Sequence, residues 1–322
     1  MKFFYTLLYL SFSILFCNGQ SPFRREVHYS KIDTAISATV VFKSKFYCLK
    51  ANGEILLIDK SGAIAESGIP GSKALKLLNL VLKNDTLFGV NRTETYFLNK
   101  DEWSFYKKGY LTGSFSYQDE KFIVVSTCSG EWGGSLYFMD KHNGKKYECS
   151  CTCAVNIIKD ENGYIVTASL SHMAGFTNIF LIADPTKLKE YNRDYLKKKK
   201  SGFEKKNRGL KYVSYVGENE SRSGLGETKL VDSIGIITAT SFSCDSQIYY
   251  LVEKYKRVSL DIIRDGKLVP VEDLTNLNIW TSDPESRTFN DQVITTFNND
   301  QNSGFISIEK NELSFYIFNR KN

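Results

Sequence analysis

Short apolar runs alternate with polar turns along most of the chain, and two successive stretches repeat the same order. The first reads KFIVVSTCSGEWGGSLYFMDKHNGK from Lys121, and the second NGYIVTASLSHMAGFTNIFLIADPTK from Asn162. Each is an apolar run ending in Ser or Thr, a Gly-rich polar loop, another apolar run and an Asp-led turn. Runs rich in β-branched and aromatic residues, bounded by such turns, predict strands. A unit this short cannot bury its own apolar faces, so it must stack on copies of itself.

The unit recurs outward from this centre. KFYCLKANGEILLIDKSG from Lys45, DTLFGVNRTETYFLNKDE from Asp85, SIGIITATSFSCDSQIYYLVEKYK from Ser233 and DQVITTFNNDQNSGFISIEKNE from Asp291 bring the count to six. Their apolar starts at Phe46, Leu87, Phe122, Tyr164, Ile236 and Val293 are 41, 35, 42, 72 and 57 residues apart. The first three spacings suit four-stranded propeller units, and the last two predict insertions. An apolar run precedes each copy, at 39–42, 75–82, 115–117, 155–158, 229–231 and 277–281. A fourth follows several, as at 103–106, 258–263 and 313–318. Four up-and-down strands per unit predict an all-β, six-bladed β-propeller, in one domain over residues 20–322. A sandwich of two sheets, or a seven-bladed ring with one degenerate blade, is the competing fold. A strand near Val27–Tyr29 is placed to join the last blade near Leu313–Phe318 and cover its edge.

On these residues the chain resembles the six-bladed β-propeller superfamily over most of 27–319. The resemblance is architectural. LYFMDKHNGK resembles the matching stretch of quinoprotein-type repeats, while the regular tryptophans of those repeats, the Trp-Asp pair of WD40 repeats and the double glycine of kelch repeats are missing.

Composition sharpens this picture at the ends and in one insertion. Lys2 followed by the apolar run Phe3–Phe16, with Cys17-Asn18-Gly19 before Gln20, predicts a signal peptide over residues 1–19. Lipid anchoring at Cys17 is the weaker alternative, because the bulky Phe16 fits it poorly. No later apolar stretch is long enough to span a membrane, so a secreted or periplasmic protein is expected. Cys48, Cys128, Cys149, Cys151, Cys153 and Cys244 then remain, an even set that permits disulfides in an exported chain. The net charge of +6 is concentrated: residues 187–211 hold eleven Lys/Arg and three Asp/Glu, so the rest sums to 6 − 8 = −2. The insertion at 187–227, expected between blades 4 and 5, reads as a solvated excursion. Lys197, Lys198, Lys199 and Lys200 could alternatively tether it to an anionic surface. It lacks the interleaved aromatics of base-stacking proteins, so no nucleic acid is expected.

Up-and-down connectivity sends the second-to-third-strand loops and the blade-to-blade connections to one face. Loops 50–53, 91–93, 129–134, 171–177, 242–246 and 298–303 are expected to converge there, carrying Glu131, Trp132, His172, Met173, Asp245, Asn299 and Asp300. Glu131, Trp132, His172, Met173 and Asn299 are the ligand-binding candidates. Trp132 could stack on a sugar or a peptide, or plug the channel mouth. Glu131, Asp245 and Asp300 could supply paired carboxylates, and His172 a general acid or base. A bridge from Cys128 to Cys151 or Cys153 across neighbouring blades is expected. A metal site on Cys151 or Cys153 with His172 is the lesser alternative, since the C-x2-C spacing of zinc sites is absent. G-x-S-x-G, H-E-x-x-H, P-loop and dinucleotide glycine patterns are all missing, and no cofactor is expected. These readings favour a module that binds a ligand or protein on its loop face. The alternatives are a propeller hydrolase or lyase acting on carbohydrate, and a structural protein tethered by its lysines.

Overall fold

A computed structural model describes residues 22–65, 68–109, 116–191, 226–280, 285–289 and 291–320. Its strands form six sheets arranged as the blades of a propeller. Blade 1 holds three strands, β2 (Ile36–Phe42), β3 (Lys45–Lys50) and β4 (Ile55–Ile58), and follows an N-terminal strand, β1 (Arg24–Ile32). Blade 2 is β5 (Asn79–Lys83), β6 (Thr86–Val90), β7 (Glu94–Asn99) and β8 (Glu102–Lys108). Blade 3 is β9 (Ser116–Gln118), β10 (Phe122–Ser126), β11 (Ser135–Asp140) and β12 (Lys146–Ser150). Blade 4 begins with β13 (Ala154–Asp160), β14 (Gly163–Leu170) and β15 (Phe176–Ile182). The chain then lays a two-residue strand, β16 (Lys189–Glu190), on the outer edge of β12, and returns as β17 (Glu227–Ile234), the fourth strand of blade 4. Blade 5 is β18 (Ile237–Cys244), β19 (Gln247–Lys254), β20 (Arg257–Arg264) and β21 (Lys267–Asp273). Blade 6 is β22 (Glu285–Phe289), β23 (Gln292–Asn298), β24 (Asn302–Glu309) and β25 (Glu312–Arg320).

The expected strand frame holds for blades 1 to 3 and the first three strands of blade 4, is displaced by one strand through blade 5, and holds again from the second strand of blade 6. Residues 229–231 belong to the fourth strand of blade 4, and 258–263 to the third strand of blade 5, because the insertion separates β15 from β17. The excursion therefore lies within blade 4 rather than at its boundary with blade 5. The run 277–281 belongs to the connection into blade 6, whose first strand is β22. Short turns mark the true frame: Lys43–Ser44, Asn84–Asp85 and Asp245–Ser246 all have φ between 47° and 63° at both positions. Two residues in the left-handed region suit the right-handed twist of tight hairpins.

β1 runs parallel to β25 in continuous register, with Val27 beside Phe315 and Tyr29 beside Ile317, and so covers the edge of blade 6 as expected. Arg25 on β1 also pairs with the largely buried Glu272 on β21, joining this strand to blade 5. Alternate residues on both faces of the blades are apolar, and they collect in wedges between neighbours. Buried clusters fill the wedges of blades 1 and 2, 3 and 4, 4 and 5, 5 and 6, and 6 and 1. Among the described residues no such cluster joins blades 2 and 3, where Phe105 and Tyr106 are half exposed.

Polar groups cross the centre of the ring. Arg287 on β22 donates to Asn79 Oδ1 at 2.7 Å and to Leu80 O on blade 2, and pairs with Glu285. Thr288 donates to Asn156 Oδ1 at 3.3 Å, and the Asn156 amide donates to Ser241 O, linking blades 6, 4 and 5.

Candidate functional site

Two faces follow from the strand directions. The loop face carries the second-to-third-strand loops and the blade-to-blade connections, and the turn face carries the other hairpins. Blades 3, 4 and 5 present the most developed part of the loop face.

In blade 3 the loop after β10 forms a 3-10 turn at Gly130–Trp132. Gly134 lets the backbone close: a Cβ there would meet Thr127 O at 2.3 Å and Cys151 O at 2.6 Å. Cys128 in this loop is bonded to Cys153 in the connection to blade 4. The pairing satisfies one of the two expected alternatives. Cys153 adopts φ 56°, so the side-chain alternation of an extended strand does not continue from Cys151 to Cys153. Closing a loop over a sequence separation of 25 removes unfolded-state entropy worth about 3.5 kcal/mol in the chain-entropy treatment. Cys151 stays a buried thiol, and burial pushes it up to about 12. With Cys153 oxidised, the alternative metal site loses one of its proposed sulfur ligands.

In blade 4, His172 O accepts from Gly175 N at 2.9 Å, and this turn places Met173 at the tip with φ 54°. A buried hydroxyl ladder fixes its base. Ser169 Oγ accepts from Thr238 N at 2.9 Å and donates to Phe176 O at 3.0 Å. Thr177 Oγ1 donates to Ile236 O at 3.0 Å. Gly235 N donates to Gly175 O at 2.9 Å, which holds the connection into blade 5 beside this loop. Gly235 in turn sits next to Tyr255, whose hydroxyl is 3.5 Å from where a Cβ would be. The result is an apolar patch. Met173, Ile234 and Tyr255 are 88%, 82% and 80% exposed, more than any other large apolar side chain among the described residues.

His172 Nδ1 lies 3.2 Å from Glu131 Oε2, so the structure brings these two candidates together beside Met173. Both side chains are about half exposed, and a pair in that setting contributes at most about 1 kcal/mol. The other candidates are elsewhere. Asp245 lies in the two-residue turn between β18 and β19, on the turn face, because of the shifted frame. Cys244 follows it there. Asp300 is exposed in the loop of blade 6, across the ring from blade 3. Asn299 is buried and builds that loop: its amide donates to Asn278 O at 2.8 Å, and its Oδ1 accepts from Asn302 N at 2.8 Å. The backbone of Trp132 is placed, but its side chain lies outside the described residues, as do Lys197, Lys198, Lys199 and Lys200 and the signal segment.

Two cavities flank these features. One of about 380 Å³ opens on the turn face near the ring centre, with Asn156, Lys159, Ser241, Ser243, Asp291 and Lys310 in its wall. The other, about 340 Å³, lies on blade 5 below Tyr255, against Ile236, Val252, Ser259 and Asp261. Neither Tyr255 nor Asp261 was a sequence candidate. The available signal was the polar row Arg257, Ser259 and Asp261 alternating with Val258, Leu260 and Ile262 along one strand.

No protein-family model matches the chain, and no curated protein matches it. Solved structures of similar fold include a virginiamycin B lyase from Staphylococcus aureus, 13% identical, covering 88% of this chain and 85% of its own, with a TM-score of 0.32. The soluble aldose sugar dehydrogenase from Escherichia coli is 11% identical over 88% and 97%, with a TM-score of 0.44. BamB from Moraxella catarrhalis is 8% identical over 81% and 80%, with a TM-score of 0.34. These likenesses assign no activity to the chain.

Proposed function

We propose that this protein is an exported binding module that recognises a polypeptide on the loop face of blades 3 to 5. The observation that carries the reading is that Met173, Ile234 and Tyr255, the most exposed large apolar side chains among the described residues, stand on the loop face around the Gly235–Gly175 hydrogen bond. Exposed apolar side chains gathered on one face suit a partner, and Met and Tyr are enriched in such contacts. The Cys128–Cys153 bond and the hydroxyl ladder keep the loops ordered before binding, which lowers the entropy cost of association. Export is supported by the N-terminal sequence and suits a disulfide.

A carbohydrate hydrolase or lyase is the second reading, favoured only by the Glu131–His172 pair. It would have to work without Asp245, which is on the other face.

Selection from a displayed random-peptide library tests the proposal. Enriched peptides should lose at least about tenfold in affinity for M173S/I234S/Y255S, as a central apolar contact does, and keep it for Lys43→Glu on the turn face. Failure to enrich peptides, or enriched peptides that ignore the triple substitution, would overturn it.

A further inference from the structure

Blade 5 carries a buried acid that the fold does not explain. On β20, Arg257, Ser259 and Asp261 share one face, and their neighbours on β19 are Lys254, Val252 and Tyr250 in that order. This face looks into the wedge with blade 4, where the surrounding side chains are Tyr250, Val252, Ile263, Leu268 and Ile236. Asp261 is only 4% exposed within this apolar cluster. Its hydrogen-bond donor is Ser259 Oγ, at 2.5 Å. On its other side the strand pairing places Pro270 at a register shift, and proline has no N–H to offer. Burying a carboxyl with so little compensation costs several kcal/mol unless a partner arrives.

The cavity of about 340 Å³ lies beside this group. Ile236, Val252, Leu268 and Pro270 give its walls apolar stretches, Ser259 and Thr275 add hydroxyls, and Lys254 and Arg257 stand at the loop-face rim. Asp273 also stands at the rim, where it accepts from Thr275 N at 2.8 Å and faces the Arg257 charge. Two cations against one acid at the mouth, a largely apolar wall and a carboxyl at depth define a polarity. Four residues of strand from Arg257 to Asp261 span about 13 Å. The Lys254 and Arg257 stems reach over part of that, leaving about 6–8 Å between the charges of an occupant.

We infer that this cavity binds an extended zwitterion, with an ammonium at Asp261, an apolar spacer along the wall, and a carboxylate at Lys254 and Arg257. The inference rests on blade 5 alone and holds whether or not the loop face docks a polypeptide.

Calorimetric titration of the whole protein tests it, with 6-aminohexanoate, hexylamine and hexanoate as probes. 6-Aminohexanoate should saturate at concentrations below about 10 mM, and more tightly than either single-charge probe. Asp261→Asn, which preserves shape, should abolish binding of both amines. K254Q/R257Q should weaken 6-aminohexanoate about tenfold and leave hexylamine unchanged, which separates loss of the carboxylate contact from loss of the fold. Two results would overturn the inference: no saturable binding of 6-aminohexanoate to the native protein, or binding that survives Asp261→Asn.

Discussion

Asp119 and Asp261 are both carboxylates in the wedges beside blade 4 and blade 5, yet their surroundings push them in opposite directions. Burial pushes the Asp261 carboxyl up, and Ser259 and the Lys254 charge only partly offset this. Burial also acts on Asp119, but Lys159, the Tyr164 hydroxyl and the backbone N–H groups of Phe122 and Lys121 outweigh it and hold it at about 2. Lys159 Nζ is 2.8 Å away and Tyr164 Oη 2.6 Å, so this acid ties the first hairpin of blade 3 to blade 4. A depressed acid stabilises the fold above its unfolded pKa of about 3.9, and that contribution is lost as pH falls towards 2. Asp119→Ala should therefore cost about 1–2 kcal/mol at pH 7 after allowance for solvent screening. In denaturant unfolding the gap to the native protein should narrow below pH 4; a gap independent of pH would contradict this account. The sequence allowed Cys128 to be paired with the 151–153 segment but not with one member of it. That choice turned on the left-handed backbone at Cys153, which no neighbouring glycine or turn motif announces.

At the scale of elements, alternation and turn spacing made most strands legible, and the displaced frame of blade 5 traces to one event. The expected frame treated the run from Ser233 as a second strand, a loop and a third strand. Its Cys244-Asp245-Ser246 stretch is instead a two-residue hairpin turn, like those between the first and second strands of blades 1 and 2. Displacing that frame by one strand moved Asp245 and Cys244 to the wrong face and hid the row Arg257, Ser259 and Asp261. The cause is the excursion inside blade 4, whose two ends come back together: a Cβ on Gly226 would stand 3.4 Å from Leu188. Replacing residues 192–225 with a short Gly/Ser linker should therefore preserve the β15–β17 pairing, since loop closure depends only weakly on length. Thermal unfolding is predicted to shift by less than about 2 °C, the effect of roughly 1 kcal/mol on a domain of this size. A shift well beyond that would show that the excursion supports the ring.

The whole molecule is a ring closed by its first strand. β1 covers the edge of blade 6, which would otherwise offer unpaired backbone groups to another chain, and Arg25 fastens it to blade 5. Across the centre, Arg287 and Asn156 join blades that are not all neighbours, so the middle of the ring is crosslinked by polar groups. Such a closed scaffold leaves recognition to what stands on its faces. The sequence placed Glu131, His172 and Met173 among the groups of the loop face. Ile234 and Tyr255 stayed hidden because they lie far from Met173 in the chain and meet it only through the blade 4–blade 5 connection. Methionine chemistry gives the most direct test of that face. The chain has three methionines, and Met139, 40% exposed on blade 3, serves as an internal control for Met173 at 88%. Peroxide oxidation should reach Met173 first in the free protein. With a saturating library-selected peptide, mass spectrometry should show Met173 protected and Met139 oxidised at its original rate. Unchanged oxidation of Met173 in the complex would contradict recognition at this face.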